Sequence, residues 1–321
     1  MLLYTLRRIV IMIPILIMIS IVVFALALAM PGDALSGQID PSNTKPEYIE
    51  EMREQLGLND PVHVQYGRWA AGILQWDFGR SFVHRMDVTE AIGQRLPNTI
   101  LLSVLSLLLT YVLAFFMGRY AGRHPYTIGD YGIQGLNYLM LAIPSFVAAI
   151  FAIFFFSFQL GWFPATGSIG SGVTPGTMEY YLSKLKHAAL PAIVLGMLTT
   201  ASYTQFLRND IIENAQKDYV RTARAKGTPE NKIYNKHILR NSIIPIVTLF
   251  GFDIGSIIGG AVIIETVFTY PGIGELLITS IGRRDSAVVI AITLMLSVAT
   301  LVGNLIADLL YGVIDPRIRV E

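Results

Sequence analysis

The chain has 321 residues, 53% of them hydrophobic and only 15% charged, with a net charge of +1 and a mean hydropathy of +0.54. Soluble domains carry roughly 25% charged residues, so this composition places the chain in a bilayer and leaves no global field that favours nucleic acid. Cysteine is absent, which excludes disulfides, zinc–cysteine sites and thiol chemistry.

The first apolar run, residues 9–30, follows Arg7-Arg8. It exceeds the roughly 7–15-residue core of a cleaved signal peptide, so a retained membrane helix is expected. A spanning helix needs about 20 apolar residues. Further runs at 99–121, 135–158, 188–207, 242–267 and 288–311 bring the expected number of spans to six. Pro14, Pro144, Pro191 and Pro245 fall inside these runs, where neighbouring helices can re-satisfy the freed carbonyls.

Orientation follows from Lys and Arg in the short loops. With the N-terminus inside, the inner segments hold Arg7, Arg8, Arg119, Arg123, a basic stretch at 218–245, Arg317 and Arg319. The short outer loops hold Lys184, Lys186, Arg283 and Arg284. Both termini are then cytoplasmic. The long loop at 31–98 lies outside and contains two helical patterns, Pro46 to Leu56 and Tyr66 to Trp76. The second either lies on the outer membrane surface, as its Trp and Tyr suit, or caps the other spans. The chain divides into 1–98, a first helix with its extracytoplasmic loop, and 99–321, a five-helix core with a cytoplasmic loop at about 208–241.

Enzymatic signatures are missing. No G-x-x-x-x-G-K-[ST] phosphate loop, H-E-x-x-H or G-x-S-x-G is present, and His63, His84, His124, His187 and His237 are scattered. No metal site and no cofactor resident in this chain are expected.

One stretch stands apart from the hydrocarbon-like surroundings: DYVRTARAKGTPENKIYNKHILRNSIIP at 218–245. Gly227 can stop a helix in the left-handed region, and Pro229 suits the first position of the next, which runs from Glu230 to Asn241. Basic residues recur through the stretch at Arg221, Arg224, Lys226, Lys232, Lys236 and Arg240. Two readings compete for them: a solvated loop that only sets topology, or a rigid lever that moves both adjoining spans. The Gly227-Thr228-Pro229 turn favours the lever.

The same stretch resembles the cytoplasmic loop of binding-protein-dependent ABC transporter permeases, whose hallmark is E-A-A-x-x-x-G. Alignment on Gly227 sets the triplet at Arg221-Thr222-Ala223, of which only Ala223 matches, a degenerate form similar to the dipeptide and oligopeptide branch. Other segments resemble that branch in order along the chain: LGLNDPVHVQYGRW at 56–69, WDFGRS at 76–81, LPNTILLS at 96–103, ETVFTYPGIGELL at 265–277 and DLLYGVIDPRIR at 308–319. The set is most similar to the first of the two paired permeases.

What the resemblance implies is an all-α inner-membrane importer subunit of the type I fold. Arg221, Ala223, Arg224, Lys226, Gly227, Thr228, Pro229, Lys232 and Ile233 would form the loop that couples to ATPases. The implied partners are a second homologous permease, two cytoplasmic ATPases carrying ATP and magnesium, and an extracytoplasmic substrate-binding protein. Similar permeases serve peptides, oligosaccharides and nickel or its chelates. A self-standing secondary transporter is the rival from another class, but it calls for inverted repeats that the sequence does not display. A membrane-embedded assembly subunit is a further rival, and it leaves Asp253 unexplained.

Asp253 stands near the middle of the fifth expected span, where an acidic group costs about 2.5–3.5 kcal/mol on insertion scales. Gly251, Gly255 and Gly259 form a small-x-x-x-small stripe, and at 100° per residue Asp253 lies opposite it. Asp253 faces either a hydrated path or a hydrogen-bonding neighbour. Glu265, near the outer end, is either a gate or a snorkelling carboxylate. Asp308 is expected to pair with Arg317 or Arg319.

Overall fold

The computed structural model describes residues 2–29, 46–55, 57–81, 83–256 and 261–314. The chain is built almost wholly from helices. They are α1 (Leu2–Ala29), α2 (Pro46–Gln55), α3 (Val62–Leu74), α4 (Val88–Arg123), α5 (Ile128–Ala142), α6 (Ser145–Ala152, continued by a π-helical Ile153–Gln159) and α7 (Met178–Asn214). After them come α8 (Asp218–Ala225), α9 (Glu230–Ile233, continued by a π-helical Tyr234–Leu239), α10 (Arg240–Ser242), α11 (Ile244–Ser256), α12 (Val262–Val267), α13 (Ile273–Gly282) and α14 (Ser286–Ile314). A two-residue antiparallel ribbon, β1 (Arg80–Ser81) with β2 (Met86–Asp87), qualifies the all-α expectation. Ser81 lies opposite Met86 in its register.

Among the described residues four helices are long and apolar enough to cross a membrane, five if the bent pair α5–α6 counts as one crossing. The span expected at 135–158, with Pro144 inside it, is bent sharply at that proline. Pro144 supplies no N–H and forces Ile143 into an extended conformation (φ −83°, ψ 122°), and the two helices meet at 101°. The run expected at 242–267 is described as two helices, α11 and α12, with 257–260 outside the described residues. Helix α4 begins eleven residues before the expected 99 (99 − 88 = 11), so the division at 98/99 falls inside a continuous helix. Pro14 and Pro191 do sit within helices, as expected.

The centre of the fold is the α4–α7 pair. Ser106, Thr110, Ala114, Gly118 and Gly122 recur every four residues on α4 and are all buried. A Cβ on Gly118 would stand 2.9 Å from Leu207 Cβ, and one on Gly122 would stand 2.8 Å from Ile211 Cβ. On the facing helix, a Cβ on Gly196 would meet Ser106 O at 2.9 Å. Lipid tails are as apolar as Leu, so membrane helices associate through close packing of small residues and through interhelical hydrogen bonds. Thr110 supplies one of these, donating to Gly196 O at 3.1 Å.

Helix α5 is pinned to α7 by a polar seam. Arg208 Nε and Nη2 each donate to a different Asp130 oxygen at 2.7 Å, with Asp130 fully buried. Gln205 bonds Gln134 one turn further along. On the other side α14 packs between α11 and α1. Asp308 pairs with Arg8 of α1 at 3.1 Å. The expected partners of Asp308, Arg317 and Arg319, lie outside the described residues, so this contact ties α14 to α1 near the start of that helix.

The loop after α1 folds back on it. Tyr66 and Trp69 of α3 stack on Phe24, and Ser20 Oγ and Tyr66 Oη share a hydrogen bond of 2.8 Å. The capping reading holds for these residues, whereas Leu74 and Trp76 at the far end of α3 are exposed.

Candidate functional site

The basic stretch forms a hairpin of helices laid across the ends of α4 and α7. Helix α8 stops at Lys226, and Gly227 takes φ +73°. Gly227 N–H then donates to Arg224 O (2.9 Å) and Thr228 N–H to Ala223 O (3.2 Å), the two bonds of a Schellman cap. Pro229 caps α9 from outside rather than occupying its first helical position, and its carbonyl accepts from Lys232 and Ile233 N–H. Across the turn Arg224 grips Glu230 with two bonds, of 2.6 and 3.2 Å. That guanidinium holds the Glu230 carboxyl below its ordinary range.

The nine expected loop residues divide into two sets by burial. Ala223 and Ile233 are buried, together with Val220, Tyr234, Ile238 and Leu239, against Leu207 and Ile211 of α7. Arg221, Arg224, Lys226, Gly227, Pro229 and Lys232 are exposed, and Thr228 is half-buried. The first set anchors the hairpin to α7. The second forms its free surface.

Sequence reading missed the attachment to α4. Arg123 stands 4.8 Å over the Tyr234 ring and bonds Asn231 Oδ1 at 2.5 Å. Tyr234 Oη donates to Arg119 O at 3.1 Å, and Arg119 reaches Asn235 at 3.4 Å. The only sequence signal was the recurrence of Arg119 and Arg123 four residues apart, taken there as topology markers. The hairpin therefore grips both members of the central helix pair.

Asp253 lies between α4, α7 and α11. Its Oδ2 accepts from Tyr111, and both of its oxygens accept from Tyr203 at 2.7 Å. Gly251 abuts Ala307 of α14 so closely that no Cβ fits, so the two faces of α11 are opposed as the helical spacing requires. Gly255 continues α11, and Gly259 lies outside the described residues.

Glu265 is not a snorkelling carboxylate: it is 0% exposed. Its Oε1 accepts from Thr99 Oγ1 (2.7 Å) and its Oε2 from Gly274 N–H (2.7 Å) and Glu275 N–H (3.2 Å). A carboxylate at a helix N-terminus meets free N–H groups and the positive end of the dipole. Gly272 must lack a Cβ, because one would overlap this carboxyl group. Nearby, Arg95 pairs with Glu275 at 2.8 Å, and Asn98 donates to Pro271 O at 2.8 Å. These bonds make Glu265 a brace between α4, α12 and α13.

Comparison with known proteins agrees with the resemblance read from the sequence. Residues 111–320 match the model described as "Binding-protein-dependent transport system inner membrane component". Residues 1–103 match its companion, "Binding-prot-dependent transport system membrane comp, N-term". The chain is 41% identical to the oligopeptide transport system permease protein AppB of Bacillus subtilis (strain 168), over 98% of this chain and 99% of that protein. It is 35% identical to a putative peptide transport system permease protein of Brucella abortus (strain 2308), over 98% of both chains. The glutathione transport system permease protein GsiC of Salmonella paratyphi A is 34% identical, again over 98% of both. By these matches across nearly its full length, the chain belongs to the binding-protein-dependent transport system inner membrane component family.

Proposed function

We propose that the chain is one of two homologous permease subunits of an ATP-driven peptide importer. Its termini and the 208–241 loop are cytoplasmic, six crossings complete its fold, and the 31–98 loop faces outward. The exposed basic surface of the hairpin docks on one of two ATPases, which carry the ATP and magnesium. A binding protein delivers cargo at the opposite end, and Asp253 faces the path. The observation that carries this reading is the hairpin itself. Its free surface is basic, and its buried side is fixed to both α4 and α7. A push on the turn is therefore delivered to the two central helices together. The names of full-length relatives support peptide as the cargo.

The test is reconstitution in vesicles with the second permease, the ATPases and the binding protein. Peptide uptake should require both ATP and binding protein, and the partner-free chain should bind no nucleotide. Uptake by this chain alone, driven by an ion gradient, would establish a secondary transporter instead. Uptake confined to oligosaccharide or a nickel chelate would change the cargo and keep the machine.

A further inference from the structure

A cavity of about 270 Å³ opens beside Asp253, walled by Ala114 and Phe115 of α4, Leu207 of α7, and Ile246 and Val247 of α11. Tyr111, Tyr203 and Phe250 also border it and form an aromatic collar, with Tyr111 5.2 Å from Tyr203 and 5.4 Å from Phe250 between ring centres. The walls are almost wholly apolar, and the collar's two hydroxyls point to the Asp253 carboxylate. Sites that enclose a whole drug-sized ligand run from roughly 300 to 1,000 Å³. This one lies just under that range and has ample room for one apolar side chain.

We propose that this niche receives the first residue of a peptide in transit, its α-ammonium at Asp253 and its apolar side chain in the cavity. The proposal rests on the peptide reading above and adds the feature of the peptide that this chain reads. Both carboxylate oxygens act as acceptors for tyrosine hydroxyls, which are neutral donors. A tyrosine hydroxyl brings a donor but no charge, whereas an ammonium brings donors and the attraction of an opposite charge in a weakly screened site, so it can displace Tyr111 or Tyr203 from Asp253. A freed hydroxyl then stands beside the incoming peptide, where it can donate to a backbone carbonyl. Oxygen acceptors at one end of an apolar slot define a ligand with a cationic head and a greasy arm. A free N-terminus carrying Leu or Phe has that shape. Binding must stay weak, because a conduction site has to release what it accepts. A modest preference of about tenfold is therefore expected, the low end of what a hydrophobic pocket achieves.

The experiment uses the complete reconstituted importer and compares Leu-Ala-Ala, N-acetyl-Leu-Ala-Ala and Gly-Ala-Ala. One binding protein serves every reaction, so changes in the uptake ratios between permease variants report the permease alone. Ala114→Leu fills the cavity and should cut the preference for the Leu-first over the Gly-first peptide by about tenfold. Should that variant fail to assemble, Val247→Phe fills the same space from α11. Asp253→Asn keeps the size of the side chain and should erase the advantage of the free over the acetylated amino group. If both ratios stay at wild-type values, or all three peptides slow equally, the niche reads nothing and the proposal falls. If the wild-type importer hydrolyses ATP yet takes up no peptide, the peptide reading fails first and this inference fails with it.

Discussion

Thr99 and Glu265, 166 residues apart, share a hydrogen bond of 2.7 Å in the buried junction of α4, α12 and α13. Thr99 Oγ1 also accepts from Ile273 N–H at 2.7 Å, so one hydroxyl joins the carboxylate to the start of α13. Glu265→Ala strands the hydroxyl and the Gly274 and Glu275 N–H groups, at about 1–3 kcal/mol for each buried group left unpaired. Glu265→Ala should lower the thermal midpoint of the purified protein in detergent by more than Thr99→Ala does. Midpoints equal to wild type would remove the brace.

The Asp130–Arg208 pair should behave as a buried ion pair. Removing one partner leaves the other charge unmatched, at about 3–5 kcal/mol, whereas replacing both by apolar residues of similar volume is often neutral. Asp130→Ala should therefore destabilise strongly, and Asp130→Leu combined with Arg208→Met should recover most of the loss. Thermal unfolding of the two singles and the double closes the cycle. A double variant no better than the worse single would show that the pair's geometry, not charge balance, holds α5 to α7.

Much of this architecture was legible in the sequence, and the gaps have physical causes. Apolar length alone located α1, α4, α7 and α14, because a bilayer demands about 20 apolar residues per crossing. The same criterion cannot measure a bend: Pro144 marks an interruption within 135–158, but apolar length carries no sign that the chain turns there by 101°. The Gly227 turn was legible because left-handed backbone selects glycine. The partners of Asp253, Glu265 and Asp308 were not. Tyr111, Thr99 and Arg8 lie far from them along the chain, and an isolated Tyr or Thr in a greasy run carries no sign of what it will face. The small-residue stripe of α4 was overlooked because its members are Ser, Thr, Ala and Gly in turn, whereas the all-glycine stripe of α11 is conspicuous.

That α4 stripe makes a graded prediction. At Gly118 a Cβ would meet Leu207 at 2.9 Å, whereas at Gly132 on α5 nothing lies within 4 Å. Gly132→Ala should be neutral or stabilising by up to about 1 kcal/mol, through helix propensity and the entropy of the unfolded chain. Gly118→Ala should destabilise, and Gly118→Val should do so by about 1–3 kcal/mol as the α4–α7 contact is overpacked. Equal midpoints for the alanine variants at 118 and 132 would mean that α4 and α7 are not in close contact.

At Gly227 backbone conformation can be separated from charge. Its φ of +73° is costly for most residues, yet no atom lies within 4 Å of where a Cβ would stand. Asn and Asp tolerate the left-handed region better than other side chains do, and they are nearly identical in shape. Gly227→Asn should keep the Schellman cap and retain most of the ATPase stimulation by loaded binding protein. Gly227→Asp keeps the same backbone but sets a negative charge among the exposed Arg221, Arg224 and Lys226, and should lower stimulation well below the Asn variant. Gly227→Val is β-branched and opens the turn, so it should lose stimulation through conformation while the complex still assembles. Copurification of the partners checks assembly in all three. If Asp matches Asn and both match glycine, the basic surface of the hairpin plays no part in coupling. If Asn is as damaged as Val, the turn accepts no side chain at all, and the docking partner must approach Gly227 itself.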